Sequence, residues 1–301
     1  MSKFRGILPA LVTPFDAEER FCPAPLEALL ERVYSSGVHG VYVCGQTGEG
    51  RLQPVEQRKL VAEVAVRNSP PGRDAIIHVG CYRTADALEL ARHAGRIGAA
   101  AISSLPPDGC SFTEIRAYYQ ALAAVSELPV LVYYFPEICS GIASFDQILE
   151  LTSIPNVVGL KFTDYNLYLL SLIRRDGYTI YNGRDEVLAA GLLMGANGGI
   201  GTFYNLVPGW FVHLFELSEA GRHSEARKVQ DRINDLIRLT VQFPVTAAVK
   251  RMLDWSGIRC GAPLAPHRRL TEQEDNSLRQ CLEAAHLDPA GAFVNSTLDL
   301  S

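Results

Sequence analysis

One lysine interrupts an apolar run in the middle of the chain: Pro155-Asn156-Val157-Val158-Gly159-Leu160-Lys161-Phe162. The chain carries five lysines against twenty-three arginines, and Lys161 alone of the five lies within such a run. An ammonium buried without a partner pays a large desolvation cost, so the group sheds its proton and becomes a neutral amine. A neutral amine attacks carbonyl carbon and forms a Schiff base. The competing reading is a lysine at a frayed strand end, paired with a carboxylate in solvent.

Other residues fit carbonyl chemistry beside it. Tyr133 lies in the preceding run PVLVYYF (129–135), and a phenol near an imine can relay protons as bonds form and break. Strand tyrosines also commonly just pack. The turn Gly45-Gln46-Thr47-Gly48-Glu49-Gly50 offers backbone N–H groups and the Thr47 hydroxyl to a carboxylate, or is simply a tight turn. Asp185 and Glu186 can accept hydrogen bonds from a substrate, or they can cap the helix expected to run to Ala196. Gly198-Gly199-Ile200-Gly201 could hold a phosphate, as barrels often do after strands seven and eight.

Positioning these groups requires a scaffold, and the hydrophobic pattern supplies one. Eight short apolar runs recur: 7–15, 41–45, 75–80, 100–106, 129–135, 157–162, 179–183 and 198–203. Between them lie helical patterns, such as Ala87, Leu90, Ala91 and Ala94, or Phe145, Ile148 and Leu149 behind the capping-box pair Ser144 and Gln147. Strands that are apolar throughout imply burial on both faces, hence a parallel sheet clothed by helices. Eight such units close into a (β/α)8 TIM barrel, whose active sites lie at the C-terminal strand ends. The competing doubly wound sheet lacks its G-x-G-x-x-G turn after the first strand. Residues 1–221 are assigned to the barrel. Residues 222–301 form a C-terminal helical extension of the same domain, with at least two helices, around 225–240 and 271–285. The final dozen residues read as a loose tail, and the Asn295-Ser296-Thr297 sequon has no meaning without secretion.

Composition narrows the function. With 301 residues, 48% hydrophobic, 20% charged and a net charge of −5, the chain is neither disordered nor a coiled coil, and it has no basic footprint for nucleic acid or an anionic membrane. No apolar run approaches the roughly 18 residues of a membrane span, and the start lacks a signal peptide's cleavage region. A cytoplasmic protein is expected. Seven cysteines without a C-x-x-C read as reduced thiols, and the histidines show no metal-ligand spacing.

These motifs, in this order, resemble the pyruvate-dependent class I aldolases that include dihydrodipicolinate synthase and N-acetylneuraminate lyase, over nearly the whole chain. The matching pieces are LPALVTPF, GQTGEG, Y-x-x-P at Tyr133 to Pro136, GLKFTD around Lys161, and NGRDE…GANGGIGTFYN. The resemblance implies that Lys161 forms a Schiff base with a 2-keto acid, that Tyr133 shuttles protons, and that Gln46, Thr47 and neighbouring amides grip the carboxylate. KFTD, NG-x-DE and GGIG-[ST]-x-YN are closer to the sialic acid lyase branch. By that resemblance Gly183, Asp185, Glu186 and Thr202 bind a polyhydroxy tail, and Thr163 lies beside the imine. The synthase branch has an arginine two residues after the Y-x-x-P proline, where this chain has Ile138. Three departures stand out: Gln46 replaces a small hydroxyl residue, PEICSG is one residue longer, and SSLPPDGCSF lacks a relay tyrosine.

The expected activity is reversible cleavage of a 2-keto-3-deoxy sugar acid to pyruvate and a sugar aldehyde, with no cofactor and no metal. The resemblance also implies a homotetramer. Synthase or 2-keto-3-deoxygluconate aldolase activity is the alternative within the family. Outside it stand a phosphate-binding barrel, an isomerase or a flavin enzyme, and a non-catalytic keto-acid-binding barrel.

Overall fold

A computed structural model of the chain describes residues 4–287; the expected tail and its sequon lie outside them. Eight strands appear where the apolar runs are: β1 (Gly6–Pro9), β2 (Gly40–Val43), β3 (Asp74–His78), β4 (Ala101–Ser104), β5 (Val130–Tyr134), β6 (Val157–Phe162), β7 (Thr179–Asn182) and β8 (Gly198–Gly201). All pair in parallel in the order β1-β8-β7-β6-β5-β4-β3-β2. A parallel bridge between Ala10 and Tyr42, with the Leu11 N–H donating to the Tyr42 carbonyl at 2.9 Å, closes the ring.

Crossover helices follow the strands: α1 (Pro23–Ser35), α2 (Val55–Arg67), α3 (Thr84–Arg96), α4 (Phe112–Val125), α5 (Phe145–Thr152), α6 (Leu167–Arg175), α7 (Leu188–Leu193) and α8 (Pro208–Glu219). Strand parity divides the core in two, because successive side chains point to opposite faces. Leu8, Tyr42, Ile76, Leu131, Tyr133, Tyr181 and Ile200 fill the barrel, while Val41, Val43, Val130, Val132, Leu160 and Phe162 meet the helices outside. Lys161 lies between Leu160 and Phe162 and opposite Tyr133 and Tyr181 in register, so parity turns it inward.

Ser144 accepts the Gln147 N–H at 3.2 Å at the start of α5, but Gln147 Oε1 takes the Ala143 N–H rather than that of Ser144. The expected capping box is therefore only half made, its return bond falling one residue early. Among the described residues three helices follow α8, the two located in the sequence and one more between them: α9 (His223–Thr240), α10 (Val245–Trp255) and α11 (Glu272–Ala284). The pattern hides α10 because a charged residue, Lys250, occupies its buried face. No helix among the described residues is long and apolar enough to cross a membrane. All seven cysteines are unpaired.

Candidate active site

At the C-terminal end of β6 the Lys161 side chain is buried, with its Nζ 4.2 Å from the Tyr133 ring centroid and 4.3 Å from that of Tyr42. None of the ion pairs among the described residues involves it. Burial pushes its pKa from 10.5 to about 7, against the pull of the Asp185 carboxylate. Much of the amine is thus neutral at physiological pH. The two ring faces are contacts that hold a residual cation in place.

Tyr133 is packed edge-on against His78 and Tyr42, with centroids 6.0 and 6.2 Å away, and is stacked on Phe135. Burial raises its phenol pKa, opposed by the neighbouring Thr163 hydroxyl and by Arg184, so the resting phenol is protonated. Tyr134, one residue on, faces outward and stacks on Phe162 at 5.2 Å.

The turn after β2 meets the turn after β8, where the Thr47 and Thr202 hydroxyls share a hydrogen bond of 2.6 Å. Gln46 is exposed beside the buried Thr47. Asp185 is buried and does not cap the helix behind it: its Oδ2 accepts the Phe203 N–H at 2.8 Å. The capping reading therefore fails for Asp185, and residues 185–187 form a 3-10 turn leading into α7 rather than a helix running to Ala196. Burial raises the Asp185 carboxyl from 3.8 to about 7, with Glu186 adding repulsion and Lys161 drawing it down.

Two glycines make this packing possible. A Cβ on Gly201 would stand 1.8 Å from Asp185 Oδ1, and one on Gly183 would stand 2.0 Å from Thr163 Oγ1. This also counts against a phosphate site on the GGIG run, because Gly198–Gly201 is a strand rather than a loop and a carboxylate lies against its end. Glu186 is half-buried and accepts a hydrogen bond from the exposed Tyr165 hydroxyl.

Several residues escaped the sequence reading. His78 ends β3 with Nε2 accepting the Leu105 N–H at 3.0 Å and Nδ1 facing the Cys44 carbonyl at 3.1 Å. Those partners put its proton on Nδ1, and burial with nearby Arg58 holds its pKa well below 6.5. It is a fixed neutral wall for Tyr133. Its place at a strand end was the available signal. Arg184 pairs with Glu137 and lies over the Phe135 and Tyr165 rings. Arg51 Nη2 reaches Asp108 Oδ2 at 2.6 Å, linking the turn after β2 to the loop that lacks the relay tyrosine. No motif signals Arg51, and Arg184 stands at the open position of the NG-x-DE pattern.

No group of three or more His, Cys, Asp or Glu side chains among the described residues is arranged to hold a metal ion. The arrangement combines a buried amine, a protonated phenol, a hydroxyl-bearing turn and a wall of hydrogen-bond acceptors.

Comparison with known proteins agrees with that chemistry. The model of the dihydrodipicolinate synthetase family matches residues 3–285. An N-acetylneuraminate lyase of Rhizobium meliloti is 38% identical over 286 residues, covering 93% of this chain and 95% of the relative. One from Escherichia coli strain SMS-3-5 is 34% identical over 275 residues, covering 88% and 92%. Among solved structures, the wild-type sialic acid aldolase of Ruminococcus gnavus superposes with a TM-score of 0.89 at 30% identity, covering 94% of this chain and 97% of that one.

Proposed function

The chain belongs to the dihydrodipicolinate synthetase family, and from that premise we propose that it is a class I aldolase of the N-acetylneuraminate lyase kind, cleaving a sialic acid-like 2-keto-3-deoxy sugar acid to pyruvate and an amino sugar aldehyde. The observation that carries the proposal is Lys161, a buried amine without a carboxylate partner, 4.2 Å from the Tyr133 ring.

The neutral Lys161 amine attacks C2 of the keto acid. Tyr133, resting as a phenol, gives its proton to the departing carbinolamine hydroxyl, which leaves as water. An iminium and a phenolate remain side by side, and their mutual attraction, strong where water is scarce, offsets part of the cost of burying both charges. The phenolate then takes the proton of the C4 hydroxyl while the C3–C4 bond breaks, its electron pair flowing into the iminium. The aldehyde leaves, the enamine takes a proton at C3, and water releases pyruvate. The balance requires no cofactor.

Thr47, with the turn's amides and Gln46 at its rim, holds the C1 carboxylate. Thr163 stands by the imine. Gly183, Asp185, Glu186 and Thr202 face the hydroxylated tail, whose own hydroxyl replaces Tyr165 at Glu186. Ile138 offers no charge to a semialdehyde acid, and Arg184 on that wall is already paired with Glu137. The resemblance alone extends the proposal to a cytoplasmic homotetramer, which light scattering and cell fractionation would measure.

The test is borohydride reduction with pyruvate or N-acetylneuraminate, followed by peptide mass mapping. The expected result is a reduced three-carbon adduct on the Lys161 peptide, absent in Lys161→Ala. An adduct on Lys3, Lys59, Lys228 or Lys250 instead overturns the proposal. Kinetics on N-acetylneuraminate, 2-keto-3-deoxygluconate and pyruvate with aspartate semialdehyde decide the substrate, and preference for the semialdehyde would refute the sialic acid assignment.

A further inference from the structure

The turn after β2 is fastened from outside the barrel. The Glu49 and Lys250 side chains are 0% and 1% exposed, and Oε1 of one lies 2.6 Å from Nζ of the other. The second Glu49 oxygen accepts the Leu264 N–H at 2.6 Å. Lys250 Nζ also donates to the Ala262 carbonyl at 3.1 Å and lies 4.3 Å from the Phe15 ring centroid. These contacts join the Gly45–Gly50 turn to α10 and to the segment following it.

Stability is a weak reason for such a pair, since well-packed apolar residues in its place are often as good or better. Backbone geometry gives a stronger one. Glu49 has φ of +54°, a left-handed conformation that strains a residue with a Cβ. Such strain persists only where surrounding contacts over-determine it. From that conformation the Glu49 N–H donates to the Gln46 carbonyl at 3.0 Å, closing the turn that presents Thr47. The Gly48 carbonyl accepts from Thr13 Oγ1 at 2.8 Å and from Gln53 Nε2 at 2.7 Å, so the turn's other side is fixed by the barrel.

We propose that Lys250 is a positioning residue: through Glu49 it holds the Gly45–Gly50 turn in the conformation that aims Thr47 and the turn's N–H groups at the keto acid's carboxylate. This rests on the reading of that turn as the carboxylate grip. Lys250 acts through another residue.

The test uses Glu49→Gln, Lys250→Met and the double variant, with thermal melting and borohydride trapping at Lys161 titrated with pyruvate and with methyl pyruvate, which lacks the carboxylate. The double variant leaves no unpaired buried charge and is expected to fold, while each single variant melts lower. At saturating pyruvate it should trap at the parent's rate, yet half-saturation should need about tenfold more pyruvate, a loss of about 1.4 kcal/mol. Methyl pyruvate should titrate alike in the parent and the double variant.

A folded double variant with the parent's half-saturation for pyruvate overturns the proposal, as does an equal shift for both ketones. Failure of all three variants to fold also overturns it, because the pair would then serve the fold alone. Absence of a Lys161 adduct in the parent strikes instead at the proposed function.

Discussion

Two lysines among the described residues lose their water, and of these Lys250 forms an ion pair while Lys161 forms none. Its pKa near 7 predicts that borohydride trapping at limiting pyruvate rises with pH through about 7 and then levels, whereas an ordinary lysine would keep gaining to about 10. Between about 7 and 10.5 the unfolded chain holds a proton on Lys161 that the folded chain lacks, so this group's contribution to stability increases with pH there. Asp185 has the opposite slope. Its carboxyl rises from 3.8 to about 7 on folding, so between those values the folded chain holds the extra proton and stability falls as pH rises. Asp185→Asn should therefore gain Tm relative to the parent between pH 4 and pH 7.5, and it should move the Lys161 inflection down because an attracting charge is gone. A pH-independent Tm difference would show that Asp185 is not raised. At Tyr133, replacement by Phe keeps the ring packed on His78 and Tyr42 but removes the relay, so turnover should fall by about 10²-fold or more with Tm little changed. Tyr134→Phe is the control, expected to match the parent because that ring faces the helices.

At the scale of elements, the site depends on a helix that contributes nothing to its lining. Gln230 on α9 accepts the Ala189 N–H at 2.9 Å and donates to the Asp185 carbonyl at 3.0 Å, while Asn234 donates to the Glu186 carbonyl at 3.1 Å. The helix thus fixes the backbone that carries both acids. Gln230→Leu strands a buried donor and acceptor and should cost about 1–3 kcal/mol, read as a lower Tm. It should also raise KM for the sugar acid while leaving half-saturation by pyruvate unchanged, since the carboxylate grip lies on another turn. Equal effects on both ligands would mean a general loosening. The strands were legible because each is a short apolar run, and α3 because its buried stripe keeps helical spacing. α10 was not, since Lys250 interrupts its buried apolar face and the partner that makes this tolerable, Glu49, lies far away in sequence.

Across the whole molecule, α9, α10 and the segment after α10 reach back to the open end of the barrel. Lys250 and Leu264 meet Glu49, Gln230 and Asn234 meet the turn after β7, and the Phe15 N–H donates to the Cys260 carbonyl at 3.0 Å. A chain ending at Thr240 keeps all eight strands and every proposed substrate ligand but loses both Glu49 partners, Lys250 and the Leu264 N–H, together with α10 and α11. The buried apolar side chains of α10 and α11, at about 1.5–3 kcal/mol for each large one, together match a marginal domain's whole stability. That truncation should lose its cooperative thermal transition and trap no pyruvate; a shortened chain that still forms the Lys161 adduct would make the extension dispensable.

The sequence by itself determined the eight βα units, the inward chemistry of a lysine among apolar neighbours, and the family through motifs held in order. Those features are local: strand period, apolar runs and glycine-rich turns are written in adjacent residues. Only the tertiary structure decided that Tyr133 rather than Tyr134 faces Lys161, that Asp185 grips Phe203 instead of capping a helix, and that His78 is a neutral wall. It also brought Thr47 to Thr202 and Lys250 to Glu49. Each depends on strand parity, or on meetings between residues far apart in sequence, and burial sets their charges only after the barrel has closed.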